Sequence, residues 1–125
     1  MKKSKKQKTQ WLAQPEEHDY PAAKSYLNLF FDEQESLEFS EKLKNVSIVH
    51  FKAKDVFRAS KLSLLGVSNS HVKKNVAKIL KGKKMSPILL VRDTKNVGLI
   101  IADGYHRMCA VYHFDEDALI PCKII

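Results

Sequence analysis

Two apolar segments near the end of the chain constrain the fold most strongly. Residues 87–92 predict a strand, the Asp-Thr-Lys-Asn sequence at residues 93–96 predicts a turn, and residues 97–102 predict a second strand, antiparallel to the first. Asp103-Gly104 ends this hairpin and opens a helix that we predict over residues 105–113. The sequence therefore places a buried hairpin, a glycine and a helix in direct succession.

Two helices are predicted before the hairpin, in the first third of the chain. Asp19-Tyr20-Pro21 indicates a helix start, with Asp19 placed to cap it and Pro21 in the first turn. A second helix is predicted over residues 33–44, with Leu37 and Leu43 facing inward.

The middle and the end of the chain alternate between strand and helix patterns. Residues 46–51 are rich in β-branched side chains and predict a strand, and residues 54–60 predict a short helix. The Ser-Asn-Ser cluster at residues 68–70 predicts the start of a longer helix that ends at Gly82. Residues 119–125 predict a final strand. The inward positions expected on the longer helix are Val72, Val76, Ile79 and Leu80.

This order of elements predicts an α+β fold with a short mixed sheet. We divide the chain into a disordered Lys-rich tail at residues 1–10, an N-terminal helical extension at residues 11–45 and a core at residues 46–125. The length of 125 residues is that of one domain, which excludes a multi-domain enzyme and leaves room for a small one.

Positive charge is concentrated in two parts of the chain. The formal net charge is +8, and lysine dominates residues 1–8 and residues 46–100, whereas acidic residues are in excess elsewhere. This balance favours acidic partners such as nucleic acid, nucleotides or anionic lipid. For the tail alone, a solvated segment is the favoured interpretation, with a nucleic-acid-binding arm as the alternative.

Cysteine content and hydropathy predict a cytoplasmic protein that does not span a membrane. The two cysteines, Cys109 and Cys122, form no CxxC pair, and so few are typical of a reducing compartment. The basic N-terminus is not followed by an apolar segment, so it does not resemble a signal peptide. The longest apolar run is far too short to cross a bilayer.

The strand-to-helix junction at Asp103–Arg107 has the chemistry of an anion site. A helix start leaves amide N–H groups free and carries the positive end of the helix dipole. Gly104 has no Cβ to block a ligand, Arg107 offers a planar fork of donors, and His106 can donate, accept or transfer a proton near neutral pH. Asp103 could cap the helix or hold a metal-bound water. A capped turn with a surface ion pair is the alternative interpretation.

The sequence around this junction resembles the ParB/sulfiredoxin superfamily. The motif is Asp-Gly-x-His-Arg at residues 103–107, followed by Ala110 and preceded by a Ser-Pro-Ile-Leu-Leu-Val strand at residues 86–91. The resemblance covers residues 85–125, which end in Ile-Pro-Cys-Lys-Ile-Ile, and extends loosely to small bacterial ParB-like proteins; the first 45 residues match no ParB core. It implies a ParB/sulfiredoxin-like fold with a nucleotide or phosphate ligand held by Asp103, Gly104, Tyr105, His106 and Arg107.

The departures from the family pattern decide which activities the resemblance implies. Sulfiredoxins carry a catalytic Cys where this chain has Tyr105, so sulfinic acid reduction is not implied. Chromosomal ParB proteins carry a Gly-Glu-Arg-Arg box and further domains, which this chain lacks. Archaeal free-serine kinases have an Asp-Gly-His-His-Arg junction, and that similarity raises nucleotide phosphotransfer. In the family, the segment after the first core strand borders the pocket, which makes Lys54 and Arg58 candidates for a second wall.

Two further clusters could supply catalytic or metal-binding groups. Glu17 and His18 precede the first helix and could act as a general base if that helix packs near Gly104, although acids at a helix start also match its dipole. His106, Cys109 and His113 share a helical face and could bind zinc together with Cys122. The spacing lacks the usual paired ligands, so zinc is not predicted.

A lysine-rich helix provides the alternative function. Lys73, Lys74, Lys78 and Lys81 surround its apolar stripe and could contact nucleic-acid phosphates. The segment lacks base-reading side chains and aromatic platforms, so a solvated helix is the favoured interpretation and any binding should depend strongly on salt.

Together these features give three hypotheses about function. The first is a domain that binds a nucleotide or phosphate ligand, with Mg²⁺ as a plausible companion ion at the lone carboxylate of Asp103. The second is a DNA-binding or partition-associated module that uses the lysines. The third is a small phosphotransferase or nuclease, with Glu17, His18 and His106 as candidate catalytic residues. The sequence does not specify an oligomeric state.

Overall fold

The order of helices and strands agrees with the prediction and adds one pair of very short strands. The protein is described at residues 8–125 by a computed structural model. Its elements are β1 (Gln10–Trp11), α1 (Asp19–Leu27), α2 (Glu33–Asn45), β2 (Val49–Lys52), α3 (Ala53–Ser60), α4 (Ser70–Leu80), β3 (Lys84–Met85), β4 (Ile88–Asp93), β5 (Gly98–Asp103), α5 (Tyr105–Phe114) and β6 (Leu119–Ile124).

The main sheet is mixed and has the strand order β2-β6-β4-β5. β4 and β5 form the predicted antiparallel hairpin, in which Val91 lies opposite Ile100. β6 runs parallel to β4 on the other side, and β2 pairs antiparallel with β6. Parallel neighbours need a crossover connection, and β5 with α5 provides it. The predicted α+β class with a short mixed sheet is confirmed.

Helices cover both faces of the hairpin, which explains why its strands are continuously apolar. Leu89 and Val91 point to one face and pack with α1 and α2, whereas Ile88 and Leu90 point to the other and pack with α3, α4 and α5. Neighbouring side chains alternate between the faces of a strand, so each strand contributes to two cores. All four residues are buried.

The N-terminal helices pack directly on the sheet. Ala23, Leu27 and Leu43 are fully buried against β4 and β5 and form one of the two cores. Residues 1–7 of the predicted tail lie outside the described residues. Gln10, at the end of the predicted tail, lies in β1, which pairs in parallel with β3 opposite Lys84.

The predicted cap of α1 is wrong, because Asp19 has a different partner. His18 occupies the N-cap position without a capping hydrogen bond from its side chain. Asp19 is the first helical residue, and its buried carboxylate accepts hydrogen bonds from the Ser86 hydroxyl and, at 3.2 Å, from the Glu16 amide. A buried carboxylate requires donors, and Ser86 supplies one from a distant part of the chain.

Two predicted core positions on helices are also wrong. α2 packs on α1 and buries Ser36, Ser40 and Leu43, so Leu37 is rotated away and is 42 % exposed. α4 buries Val72, Val76 and Ile79, which leaves Leu80 one step beyond the buried stripe. In both helices the buried face follows i, i+4, i+7 spacing, and the next residue lies about 100° away.

The boundaries of the remaining elements differ little from the predictions. Strand β2 begins at Val49 rather than Val46, because α2 continues through Asn45 and a short connection follows. Asn69 caps α4 as its cluster predicts, with its side-chain oxygen accepting from the amides of His71 and Val72. Within residues 8–125, no helix has both the length and the apolar character needed to cross a membrane.

The two leucines of α2 test the packing of this helix. We expect Leu43→Ala to lower the free energy of unfolding by about 2–5 kcal/mol, because it opens a cavity in a fully buried site. Leu37→Ala removes the same atoms from an exposed position and should change it by about 0.5 kcal/mol or less. Urea denaturation measures both. Equal effects would contradict the observed orientation of α2.

Candidate functional site

The strand-to-helix junction is built around a glycine that no other residue can replace without strain. β5 ends at Asp103, Gly104 is the N-cap of α5, and its φ of 110° lies in the left-handed region. A Cβ at this position would lie 2.8 Å from Cγ1 of Ile88 and 3.0 Å from Nη2 of Arg107. The backbone at the helix start therefore packs tightly against the beginning of β4.

Arg107 ties the helix start to both strands of the hairpin. Its Nη2 donates to Oδ2 of Asp103 at 2.9 Å and to the carbonyl oxygen of Pro87 at 3.3 Å. Both side chains of the Asp103–Arg107 pair are 18 % exposed, and Nε of Arg107 is buried without a hydrogen-bond partner among the described residues. The guanidinium thus keeps an unused donor beside the N-terminus of α5.

The predicted capping role of Asp103 is wrong. The N-cap residue is Gly104, and no side chain in the described part of the chain caps α5, because the carboxylate of Asp103 faces Arg107 instead. A charged partner one helical turn away attracts the carboxylate more strongly than neutral amides do. The first amides of α5 are consequently left without a side-chain acceptor from these residues.

Burial raises the pKa of Asp103 above its usual range, and the positive charge and hydrogen bond of Arg107 oppose this shift. Smaller contributions come from the charges of Asp19, which raises the pKa, and His18, which lowers it. The start of α1 therefore lies within electrostatic reach of the junction. The hypothesis of a general base at Glu17 or His18 requires this location.

At the start of α1, the acidic residue that influences the junction is Asp19 and not the predicted Glu17, because the charge of Asp19 contributes to the pKa of Asp103. Oδ1 of Asp19 lies 3.3 Å from Nε2 of His18, while its other oxygen accepts from Ser86. Glu17 is exposed. The order His–Asp–Ser differs from that of a hydrolytic triad, in which the His separates the Asp from the nucleophile, because the Ser86 hydroxyl meets the carboxylate of Asp19 directly. Ser86 and Asp19 are far apart in sequence, and no local pattern connects them.

His106 belongs to a small aromatic cluster at the start of α5. Its ring lies 4.9 Å from that of His71 on α4, and the neighbouring Tyr105 donates its hydroxyl proton to the carbonyl of Ser63. Burial, with a further contribution from the charge of His71, lowers the pKa of His106. The neutral imidazole is therefore favoured, and it can accept as well as donate a hydrogen bond. Sequence analysis did not identify His71, because helix packing alone brings it here.

The histidines and cysteines that share a face of α5 do not gather around a metal position. Cys109 and Cys122 are buried free thiols, and burial raises the pKa of both, that of Cys122 to about 12. Metal ligation requires thiolates, which this environment disfavours. Across residues 8–125, no three His, Cys, Asp or Glu side chains form a group that could hold a metal ion.

The candidates for a second wall have their own partners. Lys54 pairs with Asp117 at 2.7 Å, and this carboxylate raises the pKa of Lys54. Arg58 pairs with Asp55 at 3.0 Å one turn earlier on α3. Both cations are therefore engaged away from the junction.

The lysines of α4 are exposed, but they do not form a single row. Helical spacing places Lys74, Lys78 and Lys81 on one side, with Lys73 about 100° away from Lys74. The pairing of β1 with β3 brings the N-terminal segment, including exposed Lys8, towards the end of this helix. We call the exposed lysines Lys74, Lys78, Lys81 and Lys83, on the last turns of α4 and just after it, the α4 surface.

Comparison of the chain with protein-family models, with curated proteins and with solved structures returned no match.

Three glycines test the geometry of the junction. Gly104→Ala should lower the free energy of unfolding by about 2–4 kcal/mol, because it combines a left-handed backbone with overlap against Ile88. Gly82→Ala has a φ of 73° but open space, so it should cost about 1–2 kcal/mol. Gly66→Ala meets nothing within 4 Å and should change little. Thermal or urea unfolding ranks the three losses of unfolding free energy. A Gly104→Ala variant as stable as the unsubstituted protein would contradict the described packing.

Proposed function

We propose that the Asp103–Arg107 junction binds the phosphate group of a nucleotide or of another small phosphate-bearing molecule. One observation carries the proposal: α5 begins at a glycine without a side-chain cap, beside an arginine whose Nε has no partner within residues 8–125. Free amides at a helix start and the positive end of the dipole favour a bound anion. Gly104 and Arg107 also belong to the sequence motif on which the resemblance to ParB/sulfiredoxin domains depends.

Each residue of the junction has a distinct role in this proposal. Gly104 lets the phosphate approach the backbone, and the amides of Tyr105 and His106 donate to its oxygens. Arg107 neutralises the charge through the donors that Asp103 and Pro87 leave unused. His106, with its neutral ring favoured, orients the ligand or carries a proton.

Mg²⁺ would accompany a nucleotide rather than bind beforehand. Magnesium is usually held by one or two carboxylates together with substrate phosphates. Oδ2 of Asp103 accepts a hydrogen bond from Arg107, so the other carboxylate oxygen of Asp103 is the one that would hold the ion, through a bound water. The ion would supply additional positive charge for the phosphates.

If the ligand undergoes a reaction, we propose that the general base lies at the start of α1. His18 and Asp19 influence the pKa of Asp103 through space, which supports a location close to the proposed ligand. A phosphotransferase would need such a group to accept the proton of the attacking hydroxyl. The cytoplasm is the proposed compartment, in keeping with the two buried free cysteines.

A thermal-shift panel of ADP, ATP, CTP and GTP with Mg²⁺ tests the proposal. A ligand at about 100 times its dissociation constant should stabilise the protein by about 2.7 kcal/mol. Arg107→Lys keeps the charge but loses the planar fork, so we expect most of the shift to disappear. Arg58→Lys makes the same exchange in an exposed Arg–Asp pair and should keep the full shift.

Unfolding of each variant without nucleotide confirms that it is folded before the shifts are compared. Absence of a shift with all four nucleotides and with inorganic phosphate would contradict the proposal. A shift that survives in Arg107→Lys and in His106→Ala would place the ligand elsewhere on the protein.

A second candidate function is nucleic-acid binding, which we propose for the α4 surface. The observation in its favour is the β1–β3 pairing, which brings exposed Lys8 towards the lysines at the end of α4. Clustered positive charge of this kind attracts the phosphate backbone without reading sequence.

Binding to duplex DNA at several salt concentrations tests this second candidate. Substituting Lys74, Lys78 and Lys81 together by Gln should reduce the slope of log K against log salt by about 0.9 for each phosphate that the variant no longer neutralises. The same exchange at exposed Lys42, Lys52 and Lys95 removes equal charge elsewhere and should leave most of the slope. Equal reductions would show that only the net charge matters, and the α4 surface would not be the binding site.

A further inference from the structure

A second concave site lies at the other end of β5, away from the junction. It has a volume of about 420 Å³ and is open to solvent between α3, the hairpin and the two strands beyond it. Apolar side chains form most of its wall, among them Phe51, Val56, Leu90, Leu99 and Ile124. Small-molecule sites typically have volumes of about 300–1,000 Å³ and are mainly apolar.

The charged groups around this cavity leave an excess of positive charge. Arg92, Lys61 and Asp55 line it. Asp55 is already paired with Arg58, and Lys61 makes only a long hydrogen bond of 3.4 Å to the carbonyl of Asn96. None of the ion pairs found within residues 8–125 involves Arg92, which is exposed. Two cations without carboxylate partners among these residues therefore face an apolar cavity.

The backbone of the cavity wall is also unusual. Lys61 and Val97, with φ values of 60° and 49°, are the non-glycine residues with positive φ in the described part of the chain. Both line the cavity. A β-branched residue such as Val97 rarely adopts this conformation, and here the residue is 78 % exposed instead of packed in a core. Lys61 has its positive φ because it is the left-handed C-cap of α3, so Val97 is the strained residue of the wall, and such strain is found most often at functional sites.

We propose that this cavity binds a small molecule with an apolar body and a carboxylate head. The apolar wall takes the body, and the planar guanidinium of Arg92 with the ammonium of Lys61 takes the carboxylate at the rim. The site is separate from the phosphate site, because the two lie at opposite ends of β5, roughly 17 Å apart at the usual rise per residue. It does not depend on the proposed function of the junction.

Calorimetry with octanoate as the probe tests the site, with octan-1-ol and octyltrimethylammonium as neutral and cationic partners of the same chain length. We expect saturable binding of octanoate and at least tenfold weaker binding of both controls, because only the carboxylate meets the two cations. Arg92→Gln should weaken octanoate binding about tenfold. Lys95→Gln removes one positive charge from the same hairpin outside the cavity and should leave binding nearly unchanged.

A variant that fills the cavity separates the apolar contribution from the charges. A Cβ at Gly98 would meet the carbonyl oxygen of Ala59 at 3.8 Å and Cε of Lys61 at 4.0 Å, which are ordinary distances between packed atoms. Gly98→Leu should therefore fold normally and lose octanoate binding, whereas nucleotide shifts at the junction should remain. Retained binding in Gly98→Leu would overturn the proposal.

Two other results would also overturn it. These are equal binding of octan-1-ol and absence of saturable octanoate binding up to about 10 mM.

Discussion

The β4–β5 hairpin carries apolar side chains on both of its faces, and the positions of the helices follow from the need to cover them. Leu89 and Val91 require α1 and α2 on one side, while Ile88 and Leu90 require α3, α4 and α5 on the other. Removal of this apolar surface from water is the main favourable contribution to folding. Because the hairpin runs directly into α5, the same packing fixes the glycine and the arginine of the junction in place.

Arg107 already stabilises the fold, so any anion that binds at the junction would interact with a guanidinium that has other partners. Its guanidinium holds Asp103 and the carbonyl of Pro87, so it links the end of β5 with the beginning of β4. Burial works against the ionised form of Asp103, and Arg107 compensates only in part. A phosphate at the helix start would draw on the same positive charge, and binding would therefore be coupled to the ionisation of Asp103.

The basic side chains of this fold lie in three different environments. Arg107 is enclosed by the hairpin and α5, the lysines at the end of α4 face solvent, and Arg92 with Lys61 borders an apolar cavity. The net charge of +8 is therefore not the property of a single binding face. Buried and apolar surroundings strengthen an electrostatic contact, whereas salt screens the exposed lysines.

The sequence by itself determined the types and order of the main elements, including the hairpin, the helix at Gly104 and the Asn69 cap. These follow from apolar periodicity and from turn and cap residues, which act over a few neighbours. Tertiary structure alone decided that Leu37 and Leu80 are exposed, that Asp19 bonds Ser86 and that His71 meets His106. It also decided the cavity beside Arg92. These features depend on contacts between distant segments, whose rotation and spacing are set by packing and leave no local pattern.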